Sequence, residues 1–291
     1  MKPSDSPFRT VIDALESASA LDAPGKQIGE TVRGVFKPGA LKDAISGTWL
    51  GHALHPLLTD VVIGSFMSAS LLDLLGGDDE QAAERLIAVG IAAYGPTALT
   101  GVNDWADTEL GDPRARRVGL VHAVSNAVAL GLYTASFVAR RKGNHGRGKV
   151  LGLAGGSALG AGGYLGAHLS FARGVGPNQT VFDEGPEEWT AAAATGELDE
   201  GTPLRVVVED TPVLLLKHAD GVHALHDRCS HRGCSLSDGE VDGETIVCVC
   251  HGSRFSLRDG GLLSGPATTD QPAYEVRERD GHVELRISPS R

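Results

Sequence analysis

Two short segments in the C-terminal third each combine cysteine with histidine. The first is Cys229-Ser-His231 and the second is Cys248-Val-Cys250-His251, with residues 232–247 between them. Two thiolates and two imidazoles suit a [2Fe–2S] cluster in which one iron has sulfur ligands and the other nitrogen ligands. A zinc ion also accepts two Cys and two His, but zinc fingers favour C-x2–4-C and H-x3–5-H pairs. The spacing therefore favours the cluster, with zinc as the alternative.

These residues match the Rieske pattern, C-x-H followed by C-x-x-H, with Gly233 after the first segment and Gly252-Ser253 after the second. The resemblance spans roughly residues 204–287. It implies that the cluster ligands are Cys229, His231, Cys248 and His251.

The segments Cys-Ser-His-Arg-Gly-Cys and Cys-Val-Cys-His-Gly-Ser resemble, more narrowly, the Rieske proteins of cytochrome bc complexes. In those proteins the positions equivalent to Cys234 and Cys250 carry a disulfide, so the resemblance implies a Cys234–Cys250 bond that ties the two loops together over the cluster. The alternative is a pair of free thiols in a reducing compartment.

Residues that would surround the cluster match the Rieske family in part. Ser253 stands where high-potential members have a hydroxyl bonded to a bridging sulfide, but Phe255 stands where they have tyrosine, and Phe cannot donate a hydrogen bond. Donors to cluster sulfurs raise the reduction potential. We expect an intermediate value within the range of roughly −150 to +300 mV. The segment 264–267, with Pro266, resembles the proline loop of the family.

The elements around these motifs are short strands. Runs rich in Val, Leu and Ile at 204–209, 213–217 and 222–225 alternate with Gly, Asp and Pro turns. This spacing predicts a small all-β domain over 195–291, with a linker over 173–194.

The first part of the chain has a different composition. The net charge of −11 lies wholly in residues 177–291, with 10 basic and 21 acidic residues, whereas residues 1–176 have 16 of each. Stretches without Asp, Glu, Lys or Arg cover 86–103, 118–139 and 150–172, and 57–72 is interrupted only by Asp60. A helix of about 20 apolar residues crosses a bilayer.

We therefore predict four transmembrane helices near 53–75, 85–103, 118–139 and 150–172, in a domain over 47–172 that follows a polar tail over 1–46. The overall class is α + β multidomain, a four-helix membrane bundle followed by a Rieske-type β domain. A soluble bundle is the alternative, but the many glycines of the fourth stretch suit helix packing in lipid better than a helix in water.

The sequence leaves two possibilities for the side of the membrane on which the β domain lies. Residues 1–40 have no apolar core of a cleavable signal sequence, which mildly favours a cytoplasmic β domain. Arg140-Arg141 before a weakly hydrophobic helix could instead be an internal twin-Arg export signal. Lys and Arg are nearly balanced between the two sides, so the positive-inside rule does not decide.

Four histidines lie near the predicted helix ends. Antiparallel helices would place His52, His55, His122 and His168 at one membrane face, the one that bears the β domain. Polar residues at membrane depth commonly mark function. One interpretation is a b haem or a metal ion held by two or more of them; the other is interfacial residues bonded to carbonyls or carboxylates.

Short motifs around these histidines include Trp49-Leu-Gly-His-Ala-Leu-His55-Pro and Gly163-Tyr-Leu-Gly-Ala-His168. They resemble a bacterial family of four-helix membrane proteins of unknown function, some of which carry a C-terminal Rieske domain in actinobacteria. The resemblance supports the architecture and names no reaction.

The motifs and composition bring three functions into question. The first is a membrane-anchored one-electron carrier between a membrane redox group, haem or quinone, and a protein partner. An acidic surface would suit a basic partner such as a small cytochrome and argues against nucleic acid. The second is a redox sensor without turnover. The third, a Rieske oxygenase, needs a further mononuclear iron site of two His and a carboxylate, and His282 is the only His after the motifs. Whether the chain is itself an enzyme stays open.

Overall fold

The computed structural model describes residues 7–76 and 79–287. The chain divides into two compact units. A helical unit is formed by Met1–Val35 and Leu54–Val175, and a β unit by Phe36–Ala53 and Gly176–Arg291. The β unit is therefore assembled from two segments that are far apart in the sequence.

The described part of the helical unit contains six α-helices: α1 Pro7–Ser17, α2 Asp22–Val35, α4 Leu54–Leu75, α5 Glu80–Thr108, α6 Pro113–Arg141 and α7 His145–Arg173. The short helix α3, Ala40–Ser46, belongs to the β unit. Within the described residues, α4 to α7 are the four helices long and apolar enough to cross a membrane.

Local signals fix the ends of these helices. Asp112 accepts a hydrogen bond from the Arg114 amide (2.8 Å) at the start of α6, where Pro113 is the first helical residue. Asn144 caps α7 in the same way, and Gly174 ends it with φ +63°. These are the residue types that satisfy or terminate a helix backbone.

Close packing in the bundle depends on small residues. Tyr133 of α6 stacks on Phe66 of α4 with ring centroids 4.0 Å apart, and its hydroxyl bonds to Ser70 (2.7 Å). A side chain at Gly90 would lie 2.6 Å or less from the Phe66 ring, and one at Gly155 would lie 2.9 Å from the Tyr133 ring. Among the glycines of the fourth stretch that suggested lipid packing, Gly155 is thus a contact position between helices, whereas Gly160 and Gly163 have nothing within 4 Å.

The helices are longer than the sequence predicted. The basic segment predicted as the loop 140–149 is mostly helical, because α6 continues to Arg141 and α7 begins at His145. Arg140 is buried and forms an ion pair with Asp73 of α4. A buried guanidinium needs such a carboxylate partner, and this pairing allows α6 to continue past its last apolar residue.

The segment predicted as a polar tail, residues 1–46, contains α1, α2 and α3 in its described part. Ion pairs tie α2 to the bundle: Asp22 accepts from Arg117 (2.6 Å), and Arg33 donates to Glu109 (2.7 Å). The part from residue 36 onward belongs to the β unit instead.

Ten antiparallel strands form three sheets in the β unit. The first has the order β1-β10-β9 (Thr190–Ala194, His282–Ile287, Tyr274–Arg279), and the second has β2-β3-β4 (Leu204–Val208, Thr211–His218, Gly221–His226). The third has β5-β6-β7-β8 (Glu240–Asp242, Thr245–Val247, Arg254–Ser256, Leu262–Ser264). Strand β1 lies inside the predicted linker 173–194 and pairs with β10.

Two apolar clusters form the core of the β unit. Strand β3 is buried from Thr211 to Leu216, as its continuous apolar run predicts for a central strand. Leu214 and Leu216 face a cluster that also contains Cys229, Cys248 and Phe255. Leu215 faces a second cluster against β10. The predicted combination of a helical region followed by an all-β domain is confirmed.

Candidate metal centre

Two loops with the same backbone geometry carry the four predicted ligands. Loop 1, residues 229–234, lies between β4 and β5, and loop 2, residues 248–253, lies between β6 and β7. In loop 1 the Cys229 amide donates to Cys234 O (2.8 Å) and the Gly233 amide donates to Cys229 O (2.8 Å). In loop 2 the Cys248 amide donates to Ser253 O (2.9 Å) and the Gly252 amide to Cys248 O (2.9 Å).

Glycine is required where each loop turns back. Gly233 has φ +76° and Gly252 has φ +80°, in the left-handed region that side chains disfavour. Each loop thereby brings its histidine, two or three residues after the cysteine, to the same end of the β unit.

The structure brings the four donors together. Cys229 and Cys248 are buried and outside any disulfide. The His231 and His251 ring centroids are 5.0 Å apart at an angle of 88°. A hydrogen bond between the two thiols raises the pKa of Cys229 and lowers that of Cys248 to about 7. Burial, helped by nearby Arg232, holds the pKa of His231 well below its ordinary value, which favours the neutral imidazole that binds metals.

The other two cysteines join the loops. Cys234 and Cys250 form a disulfide with an S–S distance of 2.06 Å and a Cα–Cα distance of 6.5 Å. The Cys248 sulfur lies within 4.8 Å of both. The crosslink therefore runs directly beside the buried thiols.

Two buried thiols opposite two imidazoles form the mixed donor set of a [2Fe–2S] cluster with Cys₂ and His₂ ligation. The residues present fit that group. The donor set alone also fits zinc, so the choice between the two rests on the comparisons with known proteins described below.

A third loop, residues 264–267, adjoins loop 2 through one hydrogen bond. The Ala267 amide donates to the Ser253 hydroxyl oxygen (3.0 Å), and both residues are fully buried. Because that oxygen accepts this bond, its own proton can point to another acceptor. Pro266 is buried within the loop. Phe255 in β7 is fully buried in the same apolar cluster as Cys229 and Cys248.

Two buried polar residues that position loop 1 were not anticipated from the sequence. Gln271 donates from Nε2 to His226 O and Arg228 O (2.6 Å each) and accepts from the Ser230 amide (2.9 Å). The Asp227 carboxylate accepts from Ser237 N and Ser235 Oγ (2.7 Å each). Gln271 has no local motif and is recognisable only in the fold. Asp227 lies two residues before the first motif.

A smaller, partly exposed group of ligand-type residues lies at the β3–β4 turn. His223 Nε2 (2.8 Å) and His218 Nδ1 (3.1 Å) both contact one carboxylate oxygen of Asp220. These hydrogen bonds lower the pKa of Asp220 to about 2. They give the carboxylate partners among side chains of its own hairpin.

The four predicted histidines of the membrane region have different surroundings. His52 is exposed and falls in the β unit. His168 Nε2 bonds to Glu16 Oε1 (2.8 Å). His55 packs against Gly101 of α5, and His122 packs against Gly166 of α7. His52 thus belongs to a different unit from the other three, and the convergence of all four at one membrane face stays a prediction.

His55 and His122 share one feature. The Nδ1–H of His55 donates to Thr97 O (3.0 Å), and that of His122 donates to Gly162 O (2.8 Å). Each ring is thereby fixed in the tautomer whose Nε2 carries the lone pair. The Asn126 amide lies 3.2 Å from that nitrogen in His122.

Comparison with known proteins decides the nature of the centre. The Rieske [2Fe-2S] domain model matches residues 188–275, and the model described as "Predicted membrane protein (DUF2231)" matches residues 51–179. The loops and strands are therefore a Rieske domain with a [2Fe–2S] centre. The chain belongs to the Rieske family and joins this domain to a DUF2231 membrane domain.

Several curated proteins resemble the Rieske part. The anthranilate 1,2-dioxygenase ferredoxin subunit of Burkholderia cepacia is 31% identical over 34% of this chain and 93% of its own length. The 3-phenylpropionate/cinnamic acid dioxygenase ferredoxin subunit of Photorhabdus laumondii is 39% identical over 32% and 88%. Among solved structures, the ferredoxin of carbazole 1,9a-dioxygenase from Nocardioides aromaticivorans IC177 has 25% identity, a TM-score of 0.33, and coverage of 35% of this chain and 100% of that one.

Proposed function

We propose that this protein is a membrane-anchored Rieske electron carrier, which passes single electrons between its cluster and a redox partner. The paired loops carry this proposal, because they present two buried thiols and two imidazoles with matching backbone geometry. Relatives that match the same part of the chain are ferredoxin subunits of dioxygenase systems.

The residues of this chain would hold the centre in a fixed geometry. When bound, the cluster supplies reversible one-electron chemistry. Cys229 and Cys248 would ligate one iron, and His231 and His251 the other. Apolar residues such as Phe255 would exclude water from the sulfur side, and the Ser253 hydroxyl, whose oxygen accepts from the Ala267 amide, would donate its proton to a cluster sulfur. Rigid surroundings lower the reorganisation that accompanies a change of charge.

Spectroscopy of the detergent-purified protein tests this proposal. The reduced wild-type protein should give an electron paramagnetic resonance signal with the low average g value of a cluster with imidazole ligands. His231→Gln should abolish it, whereas His282→Gln, an exposed histidine of β10, should leave it intact. Zinc without iron in the purified protein, or an unchanged signal in His231→Gln, would refute the proposal.

Helices α4 to α7 are the membrane anchor in this proposal. Their length and composition support four crossings. The β unit contains residues from before α4 and from after α7, which is consistent with an even number of crossings. Reporter fusions at Arg141 and at the C-terminus would give opposite signals if the protein is multi-pass and would identify the side of the cell membrane that bears the cluster.

A second redox group in the helical unit is a further part of the proposal. The carbonyl bonds of His55 and His122 are the outer contacts that ligating histidines commonly make. In His122 the Nε2 atom lies 3.2 Å from the Asn126 amide, so Asn126 would have to turn away for this nitrogen to ligate a metal. We propose these two as the ligands of a b haem, and not His52 or His168. A Soret band lost in His55→Ala or His122→Ala but kept in His168→Ala would support this; a protein without a Soret band would refute it.

The partner is a protein with a basic surface in this proposal, such as a small cytochrome, with membrane quinone as the alternative. The excess of acidic residues in 177–291 supports a basic protein. Rates of electron transfer to a basic cytochrome should fall as salt rises, and salt-independent rates would favour quinone.

A redox sensor without turnover is the second candidate function, because the disulfide beside the cluster can respond to thiols. A partner that the protein reduces over many turnovers would refute this function.

A further inference from the structure

A segment from the N-terminal third of the chain lies on the metal centre. Residues Phe36–Ala53 belong to the β unit and contain α3 and a 3₁₀ turn over Thr48–Leu50. Two hydrogen bonds attach this segment to the third loop: the Ser264 hydroxyl donates to Asp43 Oδ2 (2.9 Å), and the Thr48 hydroxyl donates to Ala267 O (3.0 Å). We refer to residues Phe36–Ala53 as the cap.

The cap also contacts loop 2. A Cβ atom at Gly252 would lie 2.8 Å from both Cβ and Cγ of Pro38, and a Cβ at Gly265 would collide with the Thr48 hydroxyl. Both loops therefore have glycine where the cap comes closest, since no larger residue leaves room for it. The cap reaches the residue that directly follows the ligand His251.

Burial shows that this contact is close. Lys42 and Ser46 on α3 are each 3% exposed, and His251 is 7% exposed. Residues 36–53 thus lie over the imidazole side of the centre.

We propose that the cap controls the access of soluble redox partners to the imidazole edge of the cluster, and that the Asp43–Ser264 and Thr48–Ala267 hydrogen bonds hold it closed. This inference rests on the proposed electron-carrier function. A cluster covered in this way exchanges electrons with a soluble protein faster when the cap moves aside, because the rate of electron transfer falls steeply as the distance between the two redox groups grows.

The test uses the full-length protein in detergent, with Asp43→Ala/Thr48→Val as the opening variant. Thr48→Val keeps the shape of the side chain and removes its hydroxyl. Each such hydrogen bond changes an equilibrium several-fold, so the loss of both should raise the open population roughly thirtyfold. Lys37→Ala, at an exposed position of the cap, is the matched control.

Two readouts follow the opening. Hydrogen exchange measured by mass spectrometry should accelerate in peptides covering 36–53 and 248–253 in the double variant and not in the control. Reduction of the cluster by a soluble one-electron protein donor should accelerate in parallel. If the double variant and the wild type have equal hydrogen-exchange rates and equal rates of cluster reduction, the proposal that the cap controls access is wrong.

The outcomes separate this inference from the proposed function. If the wild type contains no cluster, the electron-carrier proposal fails, while hydrogen exchange still tests whether 36–53 is held closed. If the double variant loses its cluster, the single variant Thr48→Val replaces it. If hydrogen exchange across residues 36–53 of the wild type is as fast as in an unfolded peptide, this segment is not held closed and the proposal is refuted directly.

Discussion

Gly233 and Gly252 occupy equivalent positions in the two ligand loops: each donates its amide proton to the carbonyl of the loop cysteine four residues earlier, at 2.8 and 2.9 Å. Both have left-handed φ angles, +76° and +80°. Two loops without sequence identity at most positions thus share one turn, and that turn lets each loop supply one thiol and one imidazole to the centre.

Alanine at either glycine should destabilise the centre, and Gly252→Ala should be the worse. The left-handed conformation costs about 1 kcal/mol for a side chain, and Gly252→Ala also pushes against Pro38, whereas the atoms nearest Gly233 are 3.5 Å or more away. We expect lower temperatures for thermal bleaching of the cluster. Gly281→Ala, with φ +77° in the β9–β10 turn and open space around it, is the control.

That control should lose a similar amount of stability through its backbone without changing the g values of the cluster. Equal bleaching temperatures for Gly233→Ala and wild type would show that the shared turn does not position the ligands.

The Cys234–Cys250 disulfide should stabilise the loops. It links residues 16 apart, for which loop closure in the unfolded chain gives about 3 kcal/mol. Cys234→Ser/Cys250→Ser should therefore bleach at lower temperature than wild type. The reductant TCEP should lower the wild-type temperature to that of the variant and leave the variant unchanged.

A thiol titration that finds two reactive thiols after TCEP, together with an unchanged bleaching temperature, would contradict a stabilising role. A titration that finds them before any reductant would show that the bond is absent in the isolated protein.

The reduction potential should respond to hydrogen-bond donors near the cluster. Ser253→Ala removes a buried hydroxyl whose oxygen already accepts from the Ala267 amide, so the reduced, more negative cluster loses a donor and the potential should fall. Phe255→Tyr introduces a hydroxyl and should raise it. The measurement is a redox titration of the visible spectrum.

Phe255→Leu is the matched control, because it alters the same buried position without adding a donor, and its potential should stay near that of wild type. A wild-type potential at the top of the range of roughly −150 to +300 mV would contradict the expected effect of Phe255.

Asp220 should add stability that is lost in acid. Its pKa is lowered from 3.8 to about 2 by the hydrogen bonds of His223 and His218. The folded state therefore binds fewer protons than the unfolded state between these values, so the contribution is complete above about pH 4 and disappears as the pH falls towards 2. Asp220→Asn should be less stable than wild type at pH 5, with a difference that shrinks on acidification.

Thermal unfolding followed by tryptophan fluorescence at several pH values measures this difference. Asp280→Asn, in the exposed β9–β10 turn, is the control. If the difference in thermal stability between wild type and Asp220→Asn grows as the pH falls towards 2, the pKa of Asp220 is not lowered in the folded state.

The ligand loops and the long helices could be predicted from the sequence because their signals are local. Cys229 and His231 lie in one short turn, and stretches without charge mark the helices directly. The end of α6 was misjudged because the burial of Arg140 depends on Asp73, which is 67 residues away. Gln271, whose bonds reach back more than forty residues to His226 and Arg228, was missed for the same reason.

The position of the cap could not be predicted from the sequence, because no local sequence feature marks it. Thr48 and Ala267 are 219 residues apart, and residues 36–53 have neither the apolar periodicity nor the cysteines that marked the other parts. Only the assembled β unit reveals that a segment predicted partly as tail and partly as membrane domain belongs to the Rieske unit.

This division of the β unit also sets an order of events during synthesis. Residues 36–53 leave the ribosome before the four long helices, and the rest of their unit follows only from residue 176. At about 5–20 residues per second, the segment waits on the order of ten seconds while the helices emerge. Its contacts with the loops therefore form last, and the Rieske unit is completed only after the membrane part of the chain has been made.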